Sequence, residues 1–171
     1  FHAYESGIDV NNHGVVAMIS KYLERDALVL WDLNEHKVVG RYQYPDLVGM
    51  RSPGWDPTGT RVVFEGLSTS GFSDLYVINF ETQQRSELTN DKYGDHDPDW
   101  SPDGKTIVFA SDRTPYGLDG YTNLYALDVT TRTARPLTMG RWHDQQPRWS
   151  HKGDRIAFSS DRGDSYDLYA I

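Results

Sequence analysis

The segment DHDPDWSPDGKTIVFASDR, residues 95–113, occurs three times in the chain with small changes. RSPGWDPTGTRVVFEG at 51–66 precedes it, and QQPRWSHKGDRIAFSSDR at 145–162 follows it. Each copy has a tryptophan, then a turn that contains glycine, then an apolar segment. A segment that recurs in this way indicates one structural unit used several times.

Three landmarks show that the recurrence has a regular period. The turn glycines recur at intervals of 45, 45 and 49 residues, at Gly14, Gly59, Gly104 and Gly153. The tryptophans recur at 45 and 49 residues, at Trp55, Trp100 and Trp149. The leucines of a later apolar segment recur at 47, 49 and 44 residues, at Leu28, Leu75, Leu124 and Leu168. This period, with short alternating segments, is typical of propeller blades of four strands each.

Each repeat predicts four strands, here called A to D. Strand A ends at the tryptophan, and a turn such as SPDG leads to strand B, for example TIVFASD. Strand C is a DLYVI-type segment with apolar and aromatic residues on alternating positions, and strand D resembles QRSELT. No useful helical periodicity is present, so we predict an all-β fold of four-stranded antiparallel blades.

A proline stands two residues before each of the three tryptophans, at Pro53, Pro98 and Pro147. Proline cannot donate to a strand ladder and is therefore restricted to edge strands. Strand A is thus predicted to be the inner edge of each blade, facing a central channel. The tryptophans are predicted to pack between neighbouring blades.

The motif W-S-P-D-G-K-x-I-x-F-x-S-D-R, followed by N-L-Y-x-L-D and P-L-T, resembles the TolB-like β-propeller repeat, a WD-like propeller repeat. The resemblance covers Ser6 to Ile171 and is best at 95–138. It predicts one propeller region over residues 1–171, with blades at about 6–44, 50–89, 95–138 and 144–171. The fourth blade has strands A–C only. We therefore expect the chain to be a section of a larger propeller, which in TolB-like proteins usually has six blades.

The resemblance also carries expectations about function. TolB is periplasmic and binds a lipoprotein with one end of its propeller, so a non-catalytic scaffold that binds a protein in the bacterial envelope is expected, periplasmic or secreted. Similar repeats occur beside peptidase domains, so an accessory or substrate-gating section of an exported peptidase or hydrolase is the alternative. A third alternative is an enzyme with a metal in its channel. Self-association through the unfinished blade edge is also expected.

Charge and composition narrow the classes of partner. The chain has 17 Lys and Arg against 25 Asp and Glu, a net charge of −8, which argues against nucleic acid and anionic membrane surfaces. It has no cysteine, so disulfides and thiolate metal sites are excluded. No long apolar segment predicts insertion into a membrane. No cofactor is predicted.

Motifs of known chemistry are absent from the sequence. It contains neither H-E-x-x-H nor G-x-S-x-G, so no zinc peptidase or serine nucleophile elbow is encoded in it. Asp95, Asp97 and Asp99 imitate the start of a calcium loop, but Trp100 and Thr106 stand where that loop needs Gly and Glu. We predict no metal. The alternative is a metal at the mouth of the channel, with Asp95, Asp97 and Asp144 as candidate ligands and His96 and His143 as further ones.

The structural alternative for these carboxylates is that they are solvated turn residues, some of which hydrogen-bond a neighbouring blade. Asp112–Arg113 and Asp161–Arg162 end two B strands in the same way. A feature that recurs in several blades is more typical of structure than of catalysis. We therefore predict a structural ion pair or a backbone cap at these positions.

Function is expected where the blades differ. From the strand B aromatic to the strand C leucine, the third repeat takes 15 residues, against 11 and 10 in the second and fourth, so its B–C loop is longer. In a meander, the B–C loops and D–A connections lie on one face, which we call the long-loop face. Exposed Tyr, Trp and Arg are typical of binding sites. The predicted binding residues are Tyr93, His96, Tyr116, Asp119, Tyr121, Arg141, Trp142, His143 and Tyr166.

Overall fold

A computed structural model describes residues 7–163 and 165–171. The first sheet has β1 (Ile8–Val10), β2 (Val15–Tyr22), β3 (Arg25–Asp32) and β4 (Lys37–Tyr42). The second has β5 (Leu47–Trp55), β6 (Arg61–Ser68), β7 (Ser73–Asn79) and β8 (Gln84–Glu87). The third has β9 (Asp95–Trp100), β10 (Thr106–Ser111), β11 (Asn123–Asp128) and β12 (Thr133–Pro136). The fourth has β13 (Asp144–Trp149), β14 (Ile156–Ser160) and β15 (Asp167–Ala170).

Strands that follow one another along the chain pair antiparallel in every sheet. The sheets are therefore blades 1 to 4, each a meander in the order A–B–C–D, and blade 4 has strands A–C. The all-β prediction is confirmed. A short 3-10 helix, Gly117–Asp119, lies in the long B–C loop of blade 3. The predicted start of blade 1 at Ser6 lies outside the described residues.

The A–B turns are built on glycine, as the sequence predicts. Gly14, Gly59, Gly104 and Gly153 have φ of 78°, 70°, 68° and 71°. A residue with a Cβ is strained in this left-handed region, which explains why glycine recurs at this position in all four repeats.

The core lies between neighbouring blades as well as within them. Strand A of blades 2, 3 and 4 lies against strands of the preceding blade. Val63 and Leu75 of blade 2 share one apolar cluster with Trp100 and Phe109 of blade 3. The guanidinium of Arg61 in blade 2 lies 4.5 Å from the centre of the Trp100 ring. Trp100 therefore packs between two blades, as predicted.

Hydrogen bonds from inner strands join the blades further. The backbone N–H of Trp55 donates to Asp9 Oδ2 at 2.6 Å, which links blade 2 to blade 1. The N–H of Trp149 donates to Asp99 Oδ2 at 2.7 Å, which links blade 4 to blade 3. Asp99 is thus one of the carboxylates that bond a neighbouring blade.

The residue before each inner-strand proline is strained. Ser52, Asp97 and Gln146 have φ of 49°, 52° and 52°, in the left-handed region. Each lies at a register shift in the pairing of strands A and B, which is a β-bulge. Ser52 Oγ donates to Asp97 Oδ1 at 3.2 Å, and the N–H of Gln146 donates to Asp97 Oδ2 at 3.2 Å. These two bonds to the Asp97 carboxylate connect the inner strands of blades 2, 3 and 4.

Removal of the Trp100 side chain is predicted to destabilise the fold strongly. Trp100 is 5% exposed and fills the space between blades 2 and 3, so Trp100→Ala is expected to cost about 3–5 kcal/mol of unfolding free energy. Chemical denaturation measures this loss. Leu33→Ala, at a turn where the side chain is 48% exposed, is the control and is expected to stay within about 0.5 kcal/mol. A loss below about 1 kcal/mol for Trp100→Ala contradicts the inter-blade position.

Candidate functional site

The two ends of the blades differ in what they present to solvent. The B–C loops carry an exposed large apolar or aromatic side chain in every blade, at Leu23, Phe72, Leu118 and Tyr166. Their exposed fractions are 77%, 42%, 105% and 53%. Met139, in the connection from blade 3 to blade 4, is 53% exposed on the same face. The opposite face is formed by the A–B and C–D turns. In the part of these turns that the structure describes, Leu33 is the one exposed large apolar residue.

The structure brings four of the predicted binding residues together. The Arg141 guanidinium lies 5.3 Å from the centre of the Tyr116 ring, and the rings of Tyr121 and His143 are 5.3 Å apart. His143 also forms a bridge with Thr122, which ties the B–C loop of blade 3 to the start of blade 4. Each pair joins the B–C loop of blade 3 to the connection into blade 4, and we call the two pairs together the surface cluster.

The other predicted residues lie apart from that cluster. The Tyr93 ring is covered by Arg113 at 5.6 Å and by Lys92 at 5.4 Å, in the connection from blade 2 to blade 3. Asp119 is exposed in the 3-10 helix, and Tyr166 is exposed beside blade 4.

Trp142 is held within blade 4 by three contacts. Its indole Nε1–H donates to Asp144 Oδ2 at 3.0 Å, and the Arg162 guanidinium lies 5.0 Å from its ring centre. A Cβ at Gly140 would lie 2.1 Å from the Trp142 ring, so that ring packs directly on the backbone. Trp142 thus has a packing role, and its substitution is expected to lower stability as well as any binding.

The repeated Asp-Arg pairs form ion pairs and backbone caps with other residues. Arg113 Nη2 lies 2.5 Å from Asp95 Oδ2, and Arg162 Nη2 lies 2.7 Å from Asp144 Oδ1. In the same blades, Asp112 accepts the N–H of Gly94 and Asp161 accepts that of His143. The arginine of each pair therefore makes the ion pair, and the aspartate caps the backbone.

The three metal candidates are not brought to one site. Asp95 and Asp144 are 0% exposed, each in the arginine pair of its own blade. They are not solvated turn carboxylates, and that alternative is wrong for these two residues. Asp97 lies on the inner strand of blade 3, where it bonds Ser52 and Gln146.

A polar cavity of about 660 Å³ lies along the inner strands. Its wall includes residues from blades 2, 3 and 4, namely Arg51, Ser52, Glu65, His96, Asp97, Gln145, Gln146 and Arg148. Sequence reasoning assigned His96 to the long-loop face and did not select Arg51 or Glu65. The position of His96 is explained by its partner, because its Nδ1 lies 3.1 Å from Glu65 Oε1 of the preceding blade.

The Glu65–His96 pair is an ionic contact between blades. Glu65 is 4% exposed, so its carboxylate depends on this partner. Burial opposes the charged imidazole, but the hydrogen bond and the charge of Glu65 outweigh it and raise the pKa of His96 above its ordinary value of 6.5. Asp97 and Asp95 add to the increase.

Comparison with known proteins identifies the family. The model of the TolB beta propeller domain matches residues 16–117, more than half of the chain. The chain belongs to this family. The prediction of TolB-like propeller repeats is therefore confirmed.

Individual relatives are similar over part of their length. The Tol-Pal system protein TolB of Alcanivorax borkumensis is 29% identical over 62 residues, which cover 36% of this chain and 14% of that protein. The uncharacterized peptidase YuxL of Bacillus subtilis is 33% identical over 72 residues, 39% of this chain and 11% of that protein. The crystal structure of TolB from Acinetobacter baumannii superposes with a TM-score of 0.75 at 24% identity, covering 96% of this chain and 40% of that one.

This TolB-family chain corresponds to only part of each of these relatives. It spans much less than two thirds of the length of each of them. In addition, none of the helices in the described residues has the length and apolar character needed to cross a membrane.

The Glu65–His96 contact predicts a pH dependence of stability. The pKa of His96 is raised on folding, so its contribution is fully present below about pH 6.5 and is lost as the pH rises through the higher folded value. Denaturation of the wild type and His96→Gln from pH 5.5 to 8.5 measures the contribution by difference. The difference is expected to shrink as the pH rises. A difference that grows with pH would show that the neutral imidazole is the stabilising form.

Proposed function

We propose that this TolB-family chain is a non-catalytic scaffold that binds a protein partner through its long-loop face in the bacterial cell envelope. The observation that carries the proposal is the series of exposed apolar tips at Leu23, Phe72, Leu118 and Tyr166, one per blade. Apolar side chains that project from loops on a rigid scaffold are typical of binding surfaces. The similarity to TolB supports the envelope location.

The surface cluster supplies the polar part of this face. Arg141 is exposed beside Tyr116, and His143 is held against Tyr121 and by Asp161, 2.6 Å away. Arg and Tyr are enriched among residues that dominate binding energy. Together, the apolar tips and this cluster give the face both an apolar contact area and oriented polar groups.

A second candidate function is that of an accessory or substrate-gating section of an exported peptidase. The similarity to YuxL favours it, and so does the polar cavity along the inner strands. Arg148→Ala, at the cavity wall, separates the two proposals. If the chain is a binding module, Arg148→Ala is expected to leave the affinity for the partner unchanged. If it is a gate, the variant is expected to change the rate at which a fused peptidase domain cleaves peptides.

Self-association is a further part of the proposal. In this chain β15 pairs with β14 alone among the described strands, and Leu168 is 86% exposed, whereas Leu75 and Leu124 at the equivalent positions are 0% exposed. Unpaired strand edges pair with other chains, and lysine on an edge prevents this. Sedimentation of the isolated chain is expected to show oligomers that Leu168→Lys dissociates and Leu23→Lys does not. A strictly monomeric wild type contradicts this.

Partner binding is predicted to depend on the apolar tips. Leu118→Ala and Phe72→Ala are each expected to weaken binding, at least one by about 2 kcal/mol, because they remove exposed contact area at the centre of the proposed face. Titration against a partner recovered by pull-down measures the loss. Stability is expected to stay within about 0.5 kcal/mol because both side chains are exposed.

The matched control is Leu33→Ala, which removes an exposed leucine from the opposite face. It is expected to leave affinity unchanged. The proposal is rejected if Leu33→Ala weakens binding while Leu118→Ala and Phe72→Ala do not.

A further inference from the structure

Three aspartates from two blades meet at the junction of blades 2 and 3. Asp74 lies in β7, Asp91 follows β8, and Asp95 begins β9. One carboxylate oxygen from each lies within 4.8 Å of the others. Asp74 is 4% and Asp95 0% exposed, whereas Asp91 faces solvent. The group is therefore mostly buried with one open side.

The positive charge at this junction does not balance the negative charge. Arg113 pairs with Asp95 Oδ2 at 2.5 Å and with Asp91 Oδ2 at 3.3 Å. Three carboxylates against this one guanidinium leave two negative charges. Burial is the main cause that raises the pKa of Asp74 to about 6, and the charges of Asp95 and Asp91 add to the increase.

One oxygen of the group has no well-aligned hydrogen bond. Asp95 Oδ1 is buried, and none of the described residues donates to it in hydrogen-bond geometry. Burial raises the pKa of this carboxyl, although the Ser111 and Thr89 hydroxyls lie close enough to lower it. A buried carboxylate oxygen left in this state costs free energy. Arg113 holds Oδ2 of the same carboxylate, so Oδ1 is the atom available to a further cation.

The next junction provides an internal comparison. The residues 49 positions further along are Asn123, Gly140, Asp144 and Arg162, in place of Asp74, Asp91, Asp95 and Arg113. There, Asp144 Oδ1 accepts Arg162, and Oδ2 accepts both Thr138 Oγ1 at 2.6 Å and Trp142 Nε1 at 3.0 Å. Both oxygens have partners, and only one carboxylate is present. The blade junction thus forms without the two additional aspartates, which indicates another role for them.

We propose that Asp74, Asp91 and Asp95 bind a calcium ion at the junction of blades 2 and 3. Calcium binds carboxylate oxygens at about 2.3–2.6 Å, so oxygens on opposite sides of the ion are separated by about 5 Å, in keeping with the spacing of this group. Its two positive charges balance the two excess negative charges. The solvent-facing side at Asp91 provides an entry path and room for water ligands. The site is independent of the proposed binding function.

Calorimetric titration with calcium chloride and thermal unfolding with calcium or with chelator test the proposal. We expect one ion per chain and an unfolding temperature that rises with calcium concentration. Asp74→Asn, which installs the residue found at Asn123, is expected to weaken calcium affinity at least tenfold. Asp91→Asn, at an exposed position, is a second variant that keeps the fold and is expected to weaken affinity as well.

Asp128→Asn is the matched control because Asn79 already occupies the equivalent turn position in blade 2. Both side chains accept two backbone N–H groups, from Glu81 and Thr82 and from Thr130 and Thr131. This variant is expected to bind calcium as the wild type does. The proposal is overturned if calcium leaves the wild type unchanged, if Asp128→Asn weakens binding as much as Asp74→Asn, or if magnesium binds more tightly than calcium.

Discussion

The structure depends on the burial of each blade against the next one. A single four-stranded meander has two faces and cannot cover both by itself. Val63 and Leu75 of blade 2 are fully buried because they share a cluster with Trp100 of blade 3. The strand A hydrogen bonds from Trp55 to Asp9 and from Trp149 to Asp99 fix the relative height of the blades. The recurrent tryptophan, proline and glycine are therefore requirements of inter-blade packing.

This constraint separates scaffold from function along the sequence. Positions that face a neighbouring blade recur at the repeat period, whereas the B–C loops lie outside the packed region and differ in length. The junction of blades 2 and 3 and the junction of blades 3 and 4 differ in their polar side chains. Asp74 at one junction and Asn123 at the next occupy the same place in the fold, but the aspartate adds a negative charge and the asparagine is neutral.

The repeat landmarks allowed the fold to be predicted, because glycine, proline and tryptophan each mark a local backbone or packing requirement. The polar partners were not predictable in the same way. His96 bonds Glu65 from the preceding blade, and Asp95 pairs with Arg113 across a strand pair, so neither contact follows from the alternation within one strand. The exposed Leu118 was not predicted as a binding residue, because Tyr, Trp and Arg are the types typical of binding sites and an apolar residue in a loop usually packs inward.

Amide hydrogen exchange with and without bound partner distinguishes the proposed long-loop face from the opposite face as the binding surface. Binding is expected to slow exchange in the loops around Leu23, Phe72, Leu118 and Tyr166, while the turns at Leu33 and Gly104 exchange at unchanged rates. Protection confined to the A–B and C–D turns, with the B–C loops unaffected, would contradict the proposal.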